Sequence, residues 1–158
     1  MEQIEQIVYF KSKFLKRKLY SFVLDDMTNW YEGYIRWRRQ QVKVSFNNGD
    51  AKHLEKAMAT LGQLINNQRH WENALTAYAA KILLPLKNES WLDDDEEEDT
   101  EQPVTMSEFI GRMTLEAIDL YDDGSFDFWF NDGDLFFGHV ISVQGDLISG
   151  ANQASIHG

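Results

Sequence analysis

The chain reads as an α+β domain. Its antiparallel sheet is drawn from N-terminal strands and a C-terminal three-stranded meander, with a central helix pair packed on one face. Three observations predict this. Residues 115–147 place two Asp-Gly turns, Asp123-Gly124 and Asp132-Gly133, between three alternating apolar runs, the strongest short-range signal for consecutive hairpins. Residues 30–38 and 41–46 are rich in aromatic and β-branched side chains and alternate, which suits a second antiparallel unit. Between these regions lie two apolar stripes at helical spacing, Leu54, Met58, Leu61, Leu64 and Ile65, then Trp71, Leu75, Tyr78, Ile82 and Leu86.

Each element has its own signals. Over residues 1–19, Ile4, Ile7, Val8, Phe14, Leu15 and Leu19 recur at roughly helical spacing with lysines mostly off the stripe, so an N-terminal amphipathic helix is expected there. It precedes a single domain over 20–158, which opens on a strand at 21–26. Arg39 and Gln40 are expected to turn the chain between the two strands of the second unit. Asn47-Asn48-Gly49 makes a turn, and Asp50 is placed to cap the first central helix. A bend is expected at Asn66-Asn67, and Pro85 should limit the second helix, because proline removes a donor and clashes with the preceding turn. Residues 93–99 are seven consecutive acids. Like charges at this density repel, so 93–103 is expected to be a mobile loop, and deleting 93–99 is expected to leave the melting temperature nearly unchanged. Thr105, followed three residues later by Glu108, opens a short helix through Met113. The meander strands are expected at 115–121, 125–131 and 134–144.

Composition bounds the function. With 158 residues, 43% of them apolar and 13% aromatic, one domain can bury a sizeable core. The absence of cysteine excludes thiolate chemistry and suits a reducing cytoplasm. No secretory leader and no apolar run of membrane-spanning length stands out, so a cytoplasmic protein with no membrane partner is expected. The net charge of −11 is uneven: residues 1–91 carry a balance of +5, residues 92–158 one of −16. An acidic half repels phosphates, which disfavours nucleic acid, and favours a basic protein partner. The arginines interleaved with Trp30, Tyr34 and Trp37 fit a half-buried sheet better than a base-stacking surface.

No phosphate-binding loop, nucleophile elbow or zinc motif is present, and the four histidines are far apart, so no metal and no cofactor is expected. Polar functional groups concentrate in the meander. A three-residue loop Asp122-Asp123-Gly124 pairs Tyr121 with Ser125, Ile118 with Phe128 and Leu120 with Phe126, and sets Asp119 opposite Asp127 beside Trp129. Opposed carboxylates raise one pKa, which is general acid–base equipment, or they are two solvated groups on an open face. His139 depends on register. A loop Asn131-Asp132-Gly133 puts it with Leu135 and Phe137 on the Asp127 face, the preferred reading, and a loop Asp132-Gly133 puts it among Phe126, Phe128 and Phe130. Asp119, Asp127 and His139 are therefore the candidate catalytic residues, and Trp129, Asp132, Asp134 and Phe137 the candidate ligand or partner face.

Asn88-Glu89-Ser90-Trp91-Leu92 before the acidic run, Glu108-Phe109-Ile110, Met113-Thr114-Leu115-Glu116, Asp123-Gly124-Ser125-Phe126, Asp132-Gly133-Asp134-Leu135-Phe136 and Gly138-His139 together resemble a bacterial family of uncharacterised proteins, number 2262 in the domain-of-unknown-function series. The resemblance covers roughly residues 20–158, with Phe137 standing where tryptophan is expected. It implies a bacterial, cytoplasmic protein and supplies no activity or catalytic residue. The expected function is a non-enzymatic protein-binding module of immunity or regulatory type, a monomer or weak homodimer, docking a basic partner. The alternative is a small enzyme or ligand-binding domain with an Asp/Trp/His site on the C-terminal sheet.

Overall fold

Alternation along the strands decides which side chains lie under the helices, and in the computed structural model it does so on one continuous sheet. The structure describes residues 7–11, 19–92 and 101–158. In chain order the elements are β1 (Ile7–Lys11), β2 (Leu19–Asp25), β3 (Trp30–Trp37), β4 (Gln40–Asn47), α1 (Ala51–Asn66), α2 (Gln68–Ser90), α3 (Met106–Arg112), β5 (Thr114–Leu120), β6 (Ser125–Asn131), β7 (Val140–Asp146) and β8 (Gly150–His157). The eight strands lie side by side in sequence order. β1–β4 and β5–β8 are each antiparallel, and β4 and β5 join them in parallel, Val44 beside Ile118 and Phe46 beside Leu120. A parallel step needs a long crossover, and the three helices supply it.

The helix starts follow the sequence signals. Asp50 Oδ1 accepts the His53 amide at 3.0 Å while His53 Nδ1 accepts the Asp50 amide at 3.3 Å, a reciprocal cap. Thr105 accepts the Glu108 amide at the start of α3. Asn67 alone separates α1 from α2, so the expected bend is a one-residue junction. Pro85 does not end α2, which runs on to Ser90. The ring deprives the Lys81 carbonyl of its partner, and Lys81 is exposed to water. Past Tyr78 the buried side of α2 also departs from the expected stripe. Ala79, Ala80, Leu83 and Lys87 are buried, whereas Ile82 and Leu86 are partly exposed.

One sheet face is apolar from β2 to β7. Register aligns Phe22 and Leu24, then Tyr31 and Ile35, Val42, Val44 and Phe46, Ile118 and Leu120, Phe126, Phe128 and Phe130, and Ile141 and Val143. Nearly all of these are buried beneath the helices. Trp71 of α2 meets the Phe126 ring edge-on at 5.5 Å, and Trp37 meets Phe128 at 5.6 Å within the sheet. Gly33 is needed on this face, since a Cβ there would come within 2.5 Å of the Phe22 ring.

Four expectations are corrected. Ile7–Lys11, inside the expected N-terminal helix, is a strand paired with β2, because β-branched and aromatic neighbours there favour the sheet. The rest of that expected helix lies outside the described residues, apart from Leu19, which begins β2. The β3–β4 turn is Arg38-Arg39, one residue early. The third meander strand begins at Val140, with a structured loop over 132–139 in place of its first half. A fourth strand, β8, pairs along β7.

Candidate functional site

The alternation that sends the Phe126, Phe128 and Phe130 rings under the helices sends Asp127 and Trp129 to the opposite face, which none of the described helices covers, although Asp127 itself is buried there and Trp129 half-buried. Gly124, with a φ of 88°, closes the Asp122-Asp123-Gly124 loop, and the Tyr121 amide donates to the Ser125 carbonyl at 3.0 Å. That fixes Asp119 opposite Asp127, as the sequence predicts. Trp129 Nε1 donates to Asp119 Oδ2 at 3.0 Å, and the Tyr121 hydroxyl donates to Asp127 Oδ2 at 2.6 Å. Trp30 of β3 stands edge-on to Tyr121 at 5.8 Å.

β7 and β8 extend this surface. Trp129 lies opposite Ser142. Ser142 Oγ shares a 2.8 Å hydrogen bond with His157 Nε2, and the His157 ring lies 5.2 Å from Trp129. Beside Asp127, a depression of about 320 Å³ is lined by Tyr121, Ser125, Gln144 and Asn152 among others. Burial raises the Asp119 carboxyl above its ordinary value against the pull of the Trp129 bond, and the Asp127 charge raises it further. Burial, followed by the bond to Asp127, raises the Tyr121 phenol as well, so it stays a donor across the physiological range.

The remaining candidates gather elsewhere. The Asp132 side chain is the hub of the 132–139 loop: Oδ1 accepts the Asp134 amide at 3.0 Å, and Oδ2 accepts those of Phe136 at 2.8 Å and Gly138 at 3.1 Å. Gly133, Asp134, Phe137 and Gly138 all have positive φ, and Arg112 Nε ties the loop to α3 through the Gly133 carbonyl at 2.9 Å. His139 therefore shares neither the Asp127 face nor the phenylalanine face. Its Nδ1 donates to the Phe136 carbonyl at 2.5 Å and its ring stands edge-on to Trp91 at 5.2 Å. Asp132 thus holds the loop together, and Phe137 lies outside the open face, half exposed beside Trp91.

Of the expected mobile loop, residues 93–100 lie outside the described residues, and its far end is held. Buried Lys87 Nζ meets Glu101 Oε1 at 2.6 Å and the Trp91 carbonyl at 2.6 Å. The Asn88 amide bonds both backbone groups of Val104. Among the described residues no group of three or more His, Asp or Glu side chains is arranged to hold a metal ion, and no helix is long and apolar enough to cross a membrane. Sequence reasoning missed Tyr121, Ser142 and His157. For the first, the pairing of Tyr121 with Ser125 already placed the phenol beside Asp127.

The model of DUF2262, uncharacterised proteins conserved in bacteria, matches residues 16–156. The chain belongs to this family. No curated protein and no solved structure matches it. In this DUF2262 protein the matched span leaves out β1 and His157 but takes in β2–β7 and the three described helices, so Asp119, Tyr121, Asp127, Trp129 and Ser142 lie within the family unit.

Proposed function

We propose that this DUF2262 protein is a non-enzymatic protein-binding module, of immunity or regulatory type, that docks a basic partner on the uncovered face of β5–β8. The carrying observation is the opposed pair Asp119 and Asp127. Each is held by one aromatic donor on a face that none of the described helices covers, and among the described residues neither has a lysine or arginine at ion-pair distance. Lys43, the cation that acts on Asp119, is paired with Glu32 at 3.3 Å. A guanidinium or ammonium from a partner would relieve the repulsion with charge-assisted hydrogen bonds. Trp129 beside it offers a ring face to the same cation, and the acidic C-terminal half would speed encounter.

The test is calorimetric titration with an octa-arginine peptide at low and moderate salt. The parent chain should bind it, and a variant with both Asp119→Asn and Asp127→Asn should bind at least about tenfold more weakly at either salt. Equal binding by the two would contradict the reading, since general acidity would then explain it.

One observation favours a second reading, a small ligand-binding or catalytic site on the same strands. His157, hydrogen-bonded to Ser142 and in ring contact with Trp129, completes an Asp/Trp/His grouping with the raised Asp119 carboxyl. Under that reading the cluster serves a small molecule, and the titration leaves parent and double variant alike.

A further inference from the structure

We infer that the groove between the β3–β4 turn and the start of α2 is a binding site for a phosphate-bearing small molecule of nucleotide size. The turn is Arg38-Arg39, with φ of 49° and 89°. Two-residue hairpin turns require positive φ, which Asn-Gly supplies at little cost and arginine does not. An acidic chain has placed two arginines where the backbone least favours them. Strain of that kind persists where surrounding contacts over-determine it, commonly at ligand clamps. Gln68, the first residue of α2, supplies such contacts: its Oε1 accepts the Arg38 amide at 2.9 Å and its Nε2 donates to the Arg36 carbonyl at 3.2 Å.

The turn and the helix start enclose a groove of about 780 Å³ lined by Arg36, Arg38, Arg39, Arg69 and His70, with Asn67 and Gln68 among the remainder. That volume falls in the range of small-molecule sites. Arg38 is spent on Glu72. Among the described residues Arg36, Arg39 and Arg69 have no carboxylate at ion-pair distance. The Asn67 side chain donates backwards to the Gln63 carbonyl at 3.2 Å and does not cap α2, so the first-turn amides of a 23-residue helix remain available to an anion. Guanidinium forks and helix amides match phosphate oxygens.

The charge elsewhere selects among anions. At a net charge of −11 the molecule repels a long polyanion, which favours a compact ligand over nucleic acid. The chain's own acidic run, residues 93–99, is tethered at the far end of α2, about 33 Å away along the helix axis.

The test titrates the full chain with inorganic pyrophosphate and with ATP, both without magnesium, by calorimetry. Both should bind, and Arg39→Gly and Arg69→Ala should each weaken binding at least about tenfold. Arg39→Gly should meanwhile raise the melting temperature by about 2–4 °C, since glycine adopts the turn without strain. That gain separates loss of a ligand contact from loss of fold. Binding unchanged by either variant would overturn the inference. So would a synthetic peptide of residues 93–99 that binds where pyrophosphate does not, or an RNA oligonucleotide that binds more tightly than ATP.

Discussion

Asp119 shows at the residue scale what an uncovered but half-buried face does to a charge. Burial and the neighbouring Asp127 hold its carboxyl above the ordinary value of 3.8 even though Trp129 donates to it. A group raised on folding contributes stability that is fully present below its unfolded value and lost as pH rises through the folded one. Asp119→Asn keeps an oxygen for Trp129 and never ionises. Its melting temperature should match the parent's near pH 3 and exceed it by a few degrees at pH 7. A gap that closes or reverses with rising pH would contradict this electrostatic account. The Asp119–Asp127 pair was legible in the sequence because Asp-Gly and the flanking alternation leave one register that buries Ile118, Leu120, Phe126 and Phe128 together. His157 was not, since nothing in GANQASIH marks a strand strongly enough to place its side chains.

The loop at residues 132–139 marks, at the element scale, where local reading fails. Leu135 and Phe136 followed by Phe137 imitate a strand in sequence, yet consecutive buried Leu135 and Phe136 break the alternation. The cause is one buried carboxylate. Asp132 accepts three backbone amides, which outweighs the strand preference of its neighbours and admits positive φ at Asp134 and Phe137. Asp132→Asn keeps the shape but replaces one oxygen with a donor, leaving at least one of the three amides unpaired. We expect a loss of about 2–4 kcal/mol, read as a fall of roughly 4–16 °C in melting temperature. A neutral result would mean that packing of Phe136 against Phe109 and Trp91 holds the loop without Asp132. β1 failed for a related reason: its apolar residues satisfy both periods, and pairing with β2 selects the strand. Pro85 failed because a rule about a missing donor cannot foresee which side of the helix faces water.

At the scale of the whole molecule, two antiparallel meanders share one sheet, and the crossover between them covers a single face. The α+β class and the helical cover were legible from periodicity. The parallel β4–β5 step was not, because it pairs residues on either side of a 66-residue connection and no local pattern records it. The result divides the tryptophans: Trp37 and Trp71 are buried in the core, whereas Trp30 and Trp129 belong to the open face. That division gives the most direct measurement. Indole N–H resonances of the ¹⁵N-labelled chain, followed while octa-arginine is added, report which face binds. The Trp129 signal should move first and furthest, with Trp30 following and Trp37 and Trp71 unmoved. A silent Trp129, or shifts confined to Trp37 and Trp71, would contradict it.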